Sequence, residues 1–142
     1  MTEFQAAPVE TIWRIPVRLA DARERRILIA DDDIRGAHAL AIALDEAGFA
    51  TRTTHTGLDA VRAAKQWKPG AVLLDLSMPL GDGWEAAAAI RSYDPEVFLV
   101  AHTGFTSRAE WIRSEEIGID AYFVKPCNLS RLFELLGERF PT

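Results

Sequence analysis

The sequence predicts an α/β domain in which short parallel strands alternate with helices in a doubly wound sheet. Over most of the chain, short apolar runs alternate with segments that have apolar residues at helical spacing. Residues 27–30 and 71–74 are apolar throughout, as strands buried on both faces are. Acidic residues follow both runs directly, Asp31 and Asp32 after the first and Asp75 after the second. These patterns indicate repeated βα units.

Each element has its own local signal. The strands are predicted at the apolar or β-branched runs 27–30, 50–54, 71–74, 97–101 and 122–124. Capping residues and helix breakers bound three helices: Asp33 to Gly48, Thr56 to about Trp67, and Ser107 to near Gly118. A turn over 81–83 precedes an alanine-rich helix around 86–89, which rests on propensity. The last helix has one apolar stripe, formed by Leu129, Leu132, Phe133, Leu136 and Phe140.

The first 25 residues have a different pattern and are expected to lie outside the domain, which is predicted over 26–142. Apolar Trp13, Ile15, Val17 and Leu19 alternate with Pro16 and two arginines, which is typical of an amphipathic strand. Because proline cannot donate to a sheet, such a strand would lie at an edge or outside the sheet. Two interpretations stay open: a loosely ordered arm, or a segment that covers part of the domain or pairs with a partner.

Composition narrows the class of protein. The 142 residues are long enough for one domain with a core, and the net charge of −5 gives no basic surface for nucleic acid. Cys127 is the only cysteine, which excludes an internal disulfide. The N-terminal residues lack a signal-peptide pattern, and no apolar run approaches the roughly 20 residues of a membrane span. We therefore expect a cytoplasmic protein without nucleic-acid or membrane partners.

Five polar side chains follow the predicted strands. They are Asp31, Asp32, Asp75, Thr103 and Lys125. Because the carboxyl ends of parallel strands share one edge of a sheet, these side chains are expected to converge there. Clustered carboxylates raise one another's pKa values unless a cation neutralises them, and oxygen ligands in an open site suit Mg²⁺. The sequence thus predicts a magnesium site built to hold a phosphoryl group at Asp75.

Five sequence pieces, in this order and spacing, resemble the receiver domain of two-component response regulators: residues 27–33, 74–79, 82–83, 103–104 and 122–126. The resemblance implies a flavodoxin-like (βα)₅ fold with a five-stranded parallel sheet in the order 2-1-3-4-5. It also implies a phosphorylation-dependent switch rather than an enzyme with a separate substrate. The last helix is predicted to end near residue 140, so we expect a stand-alone receiver that acts through a partner or passes the phosphoryl group onward.

The resemblance also assigns roles to the site residues. Asp75 would accept a phosphoryl group from a histidine kinase or a histidine phosphotransfer protein. Asp31, Asp32 and Asp75, together with the backbone carbonyl of Ser77, would bind Mg²⁺. Thr103 would hydrogen-bond the phosphoryl oxygens, and Lys125 would form an ion pair with them.

Further expectations concern the switch and its surface. Tyr122 matches the switch aromatic, which would reorient as Thr103 moves toward the phosphate, and a cis peptide is expected before Pro126. Trp111, Tyr122 and Leu135 are predicted to contact partners, Trp111 and Leu135 because both fall off the apolar stripes of their helices. We expect a monomer or a weak, phosphorylation-dependent dimer.

Two alternatives stay open. One is a scaffold of the same fold that works without phosphate. The other is a phosphatase of the haloacid dehalogenase type, whose motif the Asp31-x-Asp33 spacing superficially matches. That class of enzyme has its nucleophile after the first strand, which would make Asp31 rather than Asp75 the reacting residue.

Overall fold

The structure of the protein, a computed structural model, describes residues 6–19, 25–79 and 82–140. Within these ranges six strands form one sheet: β1 Glu10–Ile12, β2 Arg26–Ala30, β3 Ala50–Thr54, β4 Ala71–Leu74, β5 Phe98–Thr103 and β6 Ala121–Val124. Their order is β1-β6-β5-β4-β2-β3. The last five strands in the chain are parallel and have the predicted order, which confirms the doubly wound α/β fold. The remaining strand, β1, was not part of the predicted five-stranded sheet, and it pairs antiparallel with β6.

Five helices cover the two faces of the sheet: α1 Ile34–Glu46, α2 Gly57–Trp67, α3 Asp82–Tyr93, α4 Arg108–Glu116 and α5 Leu129–Gly137. The predicted caps are confirmed, because the side chains of Asp33, Thr56 and Ser107 each accept a hydrogen bond from a backbone amide in the first turn. Asn128 caps α5 in the same way. None of the helices within the described ranges has the length and apolar character that a membrane span requires.

The core has two layers because successive residues of a strand point to opposite faces of the sheet. Leu28 and Val72 pack toward the layer that holds the buried residues of α2 and α3. Ile27 and Leu73 pack toward the layer that holds the buried residues of α1 and α5. These four side chains are at most 1% exposed. The sheet is therefore buried on both faces, and only its edges and strand ends can carry a polar site.

Three expectations about local structure are wrong. The turn predicted over 81–83 is replaced in its described part by the first turn of α3, which begins at Asp82, while Gly81 lies outside the described residues. Leu135, predicted to lie off the apolar stripe of the last helix, is 2% exposed. The buried face of α5 runs through Leu132, Leu135 and Leu136, at spacings of three and four residues, and leaves Leu129 42% exposed.

The N-terminal segment lies on the domain rather than apart from it. The strand is residues 10–12, before the predicted apolar alternation, and the alternation itself does not mark a strand. Ile15 and Val17 are 76% and 74% exposed, whereas Pro16 and Leu19 are buried. Of the two interpretations, the structure favours a segment that covers part of the domain. We call residues 6–13 the arm.

Candidate functional site

Three carboxylates meet at the edge formed by the carboxyl ends of the parallel strands. Asp31 and Asp32 follow β2, and Asp75 follows β4, which is the neighbour of β2 in the sheet. One carboxylate oxygen from each residue lies within 4.8 Å of the others. Asp31 and Asp75 are 6% and 5% exposed, whereas Asp32 is exposed. The structure thus brings together the three predicted metal ligands.

Lys125 reaches the same carboxylates from β6. Its Nζ donates to Oδ2 of Asp31 at 2.5 Å and to Oδ2 of Asp75 at 3.0 Å. Its backbone amide donates to the carbonyl of Thr103 at 2.8 Å, which fixes Lys125 beside the end of β5. The peptide bond between Lys125 and Pro126 is cis, as predicted. The ammonium of Lys125 therefore bonds to two carboxylates that would otherwise repel each other.

Hydrogen bonds stabilise the ionised form of Asp75. Burial by itself would raise the pKa of this carboxyl, but the hydroxyl and the amide of Ser77 and the ammonium of Lys125 lower it below its usual value. Both Ser77 donors bond to Oδ1 of Asp75, at 2.5 Å from Oγ and 2.8 Å from the amide nitrogen. Asp75 is therefore an anion with both oxygens engaged. The role of the Ser77 hydroxyl is an addition to its predicted backbone role.

The pKa of Asp31 is shifted in the opposite direction from that of Asp75. Burial raises the pKa of Asp31, and the hydrogen bonds from Lys125 and from the amide of Asp33 offset this only in part. The pKa of Lys125 is raised, because its hydrogen bonds to the two carboxylates outweigh the effect of burial. Lys125 supplies one positive charge for the two buried carboxylates of Asp31 and Asp75. A divalent cation would neutralise the negative charge that remains in the cluster.

The donor set fits Mg²⁺. It consists of carboxylate oxygens only, and the exposure of Asp32 leaves one side of the cluster open to water. Mg²⁺ commonly takes one or two protein carboxylates and keeps several waters, so three converging carboxylates with a solvent-facing side suit it. The contribution of the Ser77 carbonyl stays a prediction.

Thr103 and Tyr122 both face the turn that follows β5. Thr103 is fully buried, and its Oγ1 accepts a hydrogen bond from the amide of Phe105 at 3.3 Å. Tyr122 is also fully buried, and its hydroxyl donates to the carbonyl of Phe105 at 2.8 Å. The predicted switch pair is thus joined through the backbone of Phe105. A movement of Thr103 toward Asp75 would have to break the first of these bonds.

Gly83 is explained by a close approach to the acceptor residue. A Cβ atom at this position would lie 2.7 Å from the carbonyl oxygen of Asp75 and 2.6 Å from Cα of Leu76. Only glycine lets the first turn of α3 pack against the backbone that carries Asp75. The glycine of the predicted motif is therefore a packing requirement of the site.

An aromatic layer lies beside the site, on the turn after β5. The ring of Phe105 stacks on Trp84 with 6.1 Å between centroids and 15° between planes, and the Arg113 guanidinium lies 4.2 Å above Trp84. Trp84 is 8% exposed, so its ring is a packing element of this layer. No local pattern predicts this stack, because Phe105 and Trp84 belong to different βα units.

Of the three residues predicted to contact partners, two are buried and Trp111 is partly exposed. Tyr122 is fully buried, and Leu135 is 2% exposed. The indole nitrogen of Trp111 donates to Thr11 in β1 at 3.0 Å, and the ring lies 5.5 Å from that of Trp13. Leu135 is therefore not open to partners, contrary to the expectation, because the core covers it, whereas a partner contact of the partly exposed Trp111 stays a prediction.

A cavity of about 530 Å³ opens beside the carboxylates, between α1 and α5. Its lining includes the site residues Asp31 and Lys125 and the partly exposed Leu129. His102, on the same wall, is held neutral at pH 7, because burial lowers its pKa to about 4. The cavity leaves room for a side chain of another molecule to approach the site.

Curated relatives of the chain are regulatory proteins. The chain is 34% identical over 107 residues to the transcriptional regulatory protein PrrA of Mycobacterium tuberculosis, and 35% identical over 106 residues to the DNA-binding response regulator MtrA of the same organism. Each match covers 75% of this chain and 46% of the relative. The chain therefore spans about half the length of these relatives. They lend no support to the expectation that nucleic acid is absent from the partners.

Solved structures have the same fold. A CheY-like receiver domain protein from Methanospirillum hungatei superposes with a TM-score of 0.74 at 26% identity, over 80% of this chain and 94% of the other. A Burkholderia pseudomallei response regulator with a phosphorylated aspartic acid and a calcium ion superposes with a TM-score of 0.74 at 27% identity, over 79% and 66%. The sequence pattern described as "Response regulator receiver domain" matches residues 27–137. The chain belongs to the response regulator receiver domain family of two-component signalling.

Proposed function

We propose that the protein is a phosphorylation-dependent switch in which Asp75 accepts the phosphoryl group. One observation carries the proposal: the ionised, buried Asp75 bonds to the ammonium of Lys125 and also lies in a cluster with the carboxylates of Asp31 and Asp32 that could hold a cation. A nucleophilic carboxylate needs charge neutralisation on both sides when a phosphoryl group arrives. The phosphorylated aspartate in the Burkholderia pseudomallei regulator supports the same chemistry here.

The transfer step needs only positioning and charge. An oxygen of Asp75 attacks phosphorus in line, the new O–P bond forms as the N–P bond of a phosphohistidine breaks, and the imidazole leaves with the electron pair. Asp31, Asp32, Asp75 and the Ser77 carbonyl would hold Mg²⁺, which when bound would neutralise charge on the phosphoryl oxygens. Lys125 keeps its position beside Asp75 and forms an ion pair with the bound group.

The signal is a change at the turn after β5. Thr103 turns its hydroxyl from the amide of Phe105 to the phosphoryl group, and Tyr122 follows the movement of that turn. A new charge-assisted bond from Thr103 contributes roughly 1.5–3 kcal/mol toward the differential stabilisation of about 5.5 kcal/mol that a nearly complete switch requires. Lys125 adds only the difference between its ion pair with the phosphoryl group and its existing bonds to Asp31 and Asp75.

The phosphoryl donor is a histidine kinase or a histidine phosphotransfer protein, and the cavity between α1 and α5, which reaches Asp31 and Lys125, leaves room for a donor side chain beside the carboxylates. The protein catalyses only its own phosphorylation and dephosphorylation, and it acts in the cytoplasm as a monomer or a weak, phosphorylation-dependent dimer. Its output is delivered by contact with a downstream protein or by onward transfer. PrrA is a transcriptional regulatory protein and MtrA is a DNA-binding response regulator, so nucleic acid should be tested among the partners.

The proposal is tested by intact-mass measurement after incubation with acetyl phosphate and Mg²⁺. The wild type is expected to gain one phosphoryl group, and Asp75→Asn none. Ser77→Ala is the matched variant, since it removes the hydroxyl that bonds to Asp75 and keeps the carboxylate. A beryllofluoride titration covers the case of rapid hydrolysis. Failure of the wild type to form either adduct would contradict the proposal.

A further inference from the structure

The arm continues the sheet beyond β6. Its residues Glu10, Thr11 and Ile12 stand in antiparallel register with Phe123, Tyr122 and Ala121. The backbone bonds extend past both ends of β1: the amide of Val124 donates to the carbonyl of Val9 at 2.9 Å, and the amide of Trp13 donates to the carbonyl of Asp120 at 2.8 Å. The arm therefore covers the edge of β6, an edge that would otherwise present unpaired backbone groups.

The arm also closes over the switch aromatic. The ring of Trp13 lies 6.1 Å from that of Tyr122 in an edge-on arrangement and 5.5 Å from that of Trp111. Thr11 accepts the hydrogen bond of the Trp111 indole at 3.0 Å. Tyr122 is consequently enclosed, with its hydroxyl bonded to Phe105 on one side and its ring covered by Trp13 on the other. An outward swing of Tyr122 would have to displace Trp13.

A second group of contacts lies on the turn after Thr103. Ala6 forms an antiparallel bridge with Ser107, and the amide of Ala7 donates to the carbonyl of Thr106 at 2.6 Å. Arg131 on α5 donates to Glu10 at 3.0 Å, which fastens the opposite side of the arm. The arm thus contacts α5, β6, α4 and the turn that joins Thr103 to α4. These contacts lie on the turn and on the aromatic ring, the two parts that the proposed switch couples to Asp75.

The arm is a feature of this chain beyond the family pattern, which begins at residue 27. We propose that the arm is a built-in clamp that holds Tyr122 buried and so favours the phosphorylated state. The inference rests on the proposed function. Because Trp13 keeps the aromatic ring in place before the phosphoryl group arrives, binding at Asp75 does not have to restrict a mobile ring. The arm also occupies the β6 edge, so a partner that docks there must displace it.

Thermodynamic linkage allows the inference to be tested both at Asp75 and in the arm. If the seated arm favours occupancy of Asp75, occupancy must stabilise the seated arm by the same factor. Beryllofluoride is the probe, since it occupies the acceptor carboxylate without transfer chemistry. Its affinity is read from the ¹⁹F resonances of the bound fluoride. Tryptophan fluorescence is not suitable, because Trp13→Ala would itself remove one of the fluorophores. Seating of the arm is read from hydrogen exchange at the amides of Ala7 and Trp13.

Two variants loosen the clamp in the full chain, and one serves as control. Trp13→Ala removes the ring over Tyr122, and Thr11→Val removes the hydrogen bond to Trp111 while keeping the shape of the side chain. Ile15→Ala lies just beyond the arm, at a side chain that is 76% exposed. We expect beryllofluoride affinity to fall by roughly 5–10-fold in Trp13→Ala, by less in Thr11→Val, and to stay unchanged in Ile15→Ala. In the wild type, beryllofluoride should slow exchange at both arm amides.

The outcomes separate the inference from the function beneath it. Equal affinities in all variants and unchanged exchange in the arm would overturn the clamp and leave the acceptor role of Asp75 intact. Tighter binding in Trp13→Ala would also overturn it, since the arm would then oppose the phosphorylated state. If Trp13→Ala does not fold, Thr11→Val and the exchange of the wild type decide. A wild type that binds no beryllofluoride in Mg²⁺ would remove the proposed function and the clamp together.

Discussion

The Nζ atom of Lys125 lies 3.0 Å from Oδ2 of Asp75, so a positive charge already stands beside the carboxylate before any cation or phosphoryl group is bound. The same atom bonds to Asp31, which makes Lys125 a competitor for the oxygens of the cation site. Metal binding and phosphoryl binding should therefore respond to Lys125 in opposite directions.

The first prediction follows from this competition. Lys125→Gln should bind Mg²⁺ more tightly than the wild type, by about tenfold, because a neighbouring positive charge is removed from the carboxylates. The same variant should bind beryllofluoride more weakly, because the anion loses its ion pair. Calorimetric titrations measure both affinities, with Lys65→Gln, an exposed lysine of α2, as the control. Parallel changes in the two affinities would contradict the assigned role.

The second prediction concerns Gly83. Gly83→Ala should lower the free energy of unfolding by about 1–3 kcal/mol, because its Cβ would collide with the backbone of Asp75 and Leu76. Gly137→Ala is the matched control: nothing lies within 4 Å of its Cβ, and a helical alanine should stabilise by about 0.5–1 kcal/mol. Urea denaturation measures both. A neutral Gly83→Ala would show that α3 does not pack against the acceptor residue as described.

The third prediction concerns the lifetime of the signal. Phe105 stacks on Trp84 at the turn after Thr103, and we expect its ring to limit the approach of water to the phosphoryl group. Phe105→Ala should shorten the half-life of the phosphorylated protein several-fold, while Phe105→Leu should have a smaller effect. Intact mass is followed after removal of acetyl phosphate. An unchanged half-life in Phe105→Ala would dispose of the idea.

The fourth prediction concerns stability at acidic pH. Burial, and to a lesser extent the charge of Lys125, lowers the pKa of His102 to about 4, against about 6.5 in an unfolded chain. The unfolded state therefore binds the proton first, and stability should fall as pH drops from about 6.5 toward 4. At pH 5 this contribution reaches roughly 2 kcal/mol. The loss of unfolding free energy between pH 7 and pH 5 should be smaller by that amount in His102→Gln than in the wild type. The same loss in both proteins would refute the lowered pKa of His102.

The parallel sheet and the strand-end site could be predicted because their signals are local. Continuous apolar runs mark buried strands, and the polar residue that ends each run marks the shared edge, so Asp31, Asp75 and Lys125 were expected together. The sequence did not reveal that Lys125 bonds to both carboxylates, or that Ser77 donates twice to Asp75. Such partners depend on side-chain geometry within a loop, which residue spacing does not determine.

The arm could not be predicted for a related reason. Three residues, Glu10 to Ile12, carry too short a pattern to identify a strand, and their pairing depends on the free edge of β6 far along the chain. The stronger alternation, from Trp13 to Leu19, indicated a strand that does not form. The burial of Leu135 in the core and the contacts of Trp111 with the arm were missed because both depend on residues outside their own helices.

The most direct test of the central claim is to locate the phosphoryl group. Borohydride reduces an aspartyl phosphate to homoserine, which peptide mapping by mass spectrometry assigns to one residue. After treatment with acetyl phosphate and Mg²⁺, the account predicts homoserine at position 75 in the wild type and at no position in Asp75→Asn. Homoserine at position 31 would contradict the account and favour a nucleophile after the first parallel strand, as in the phosphatase alternative.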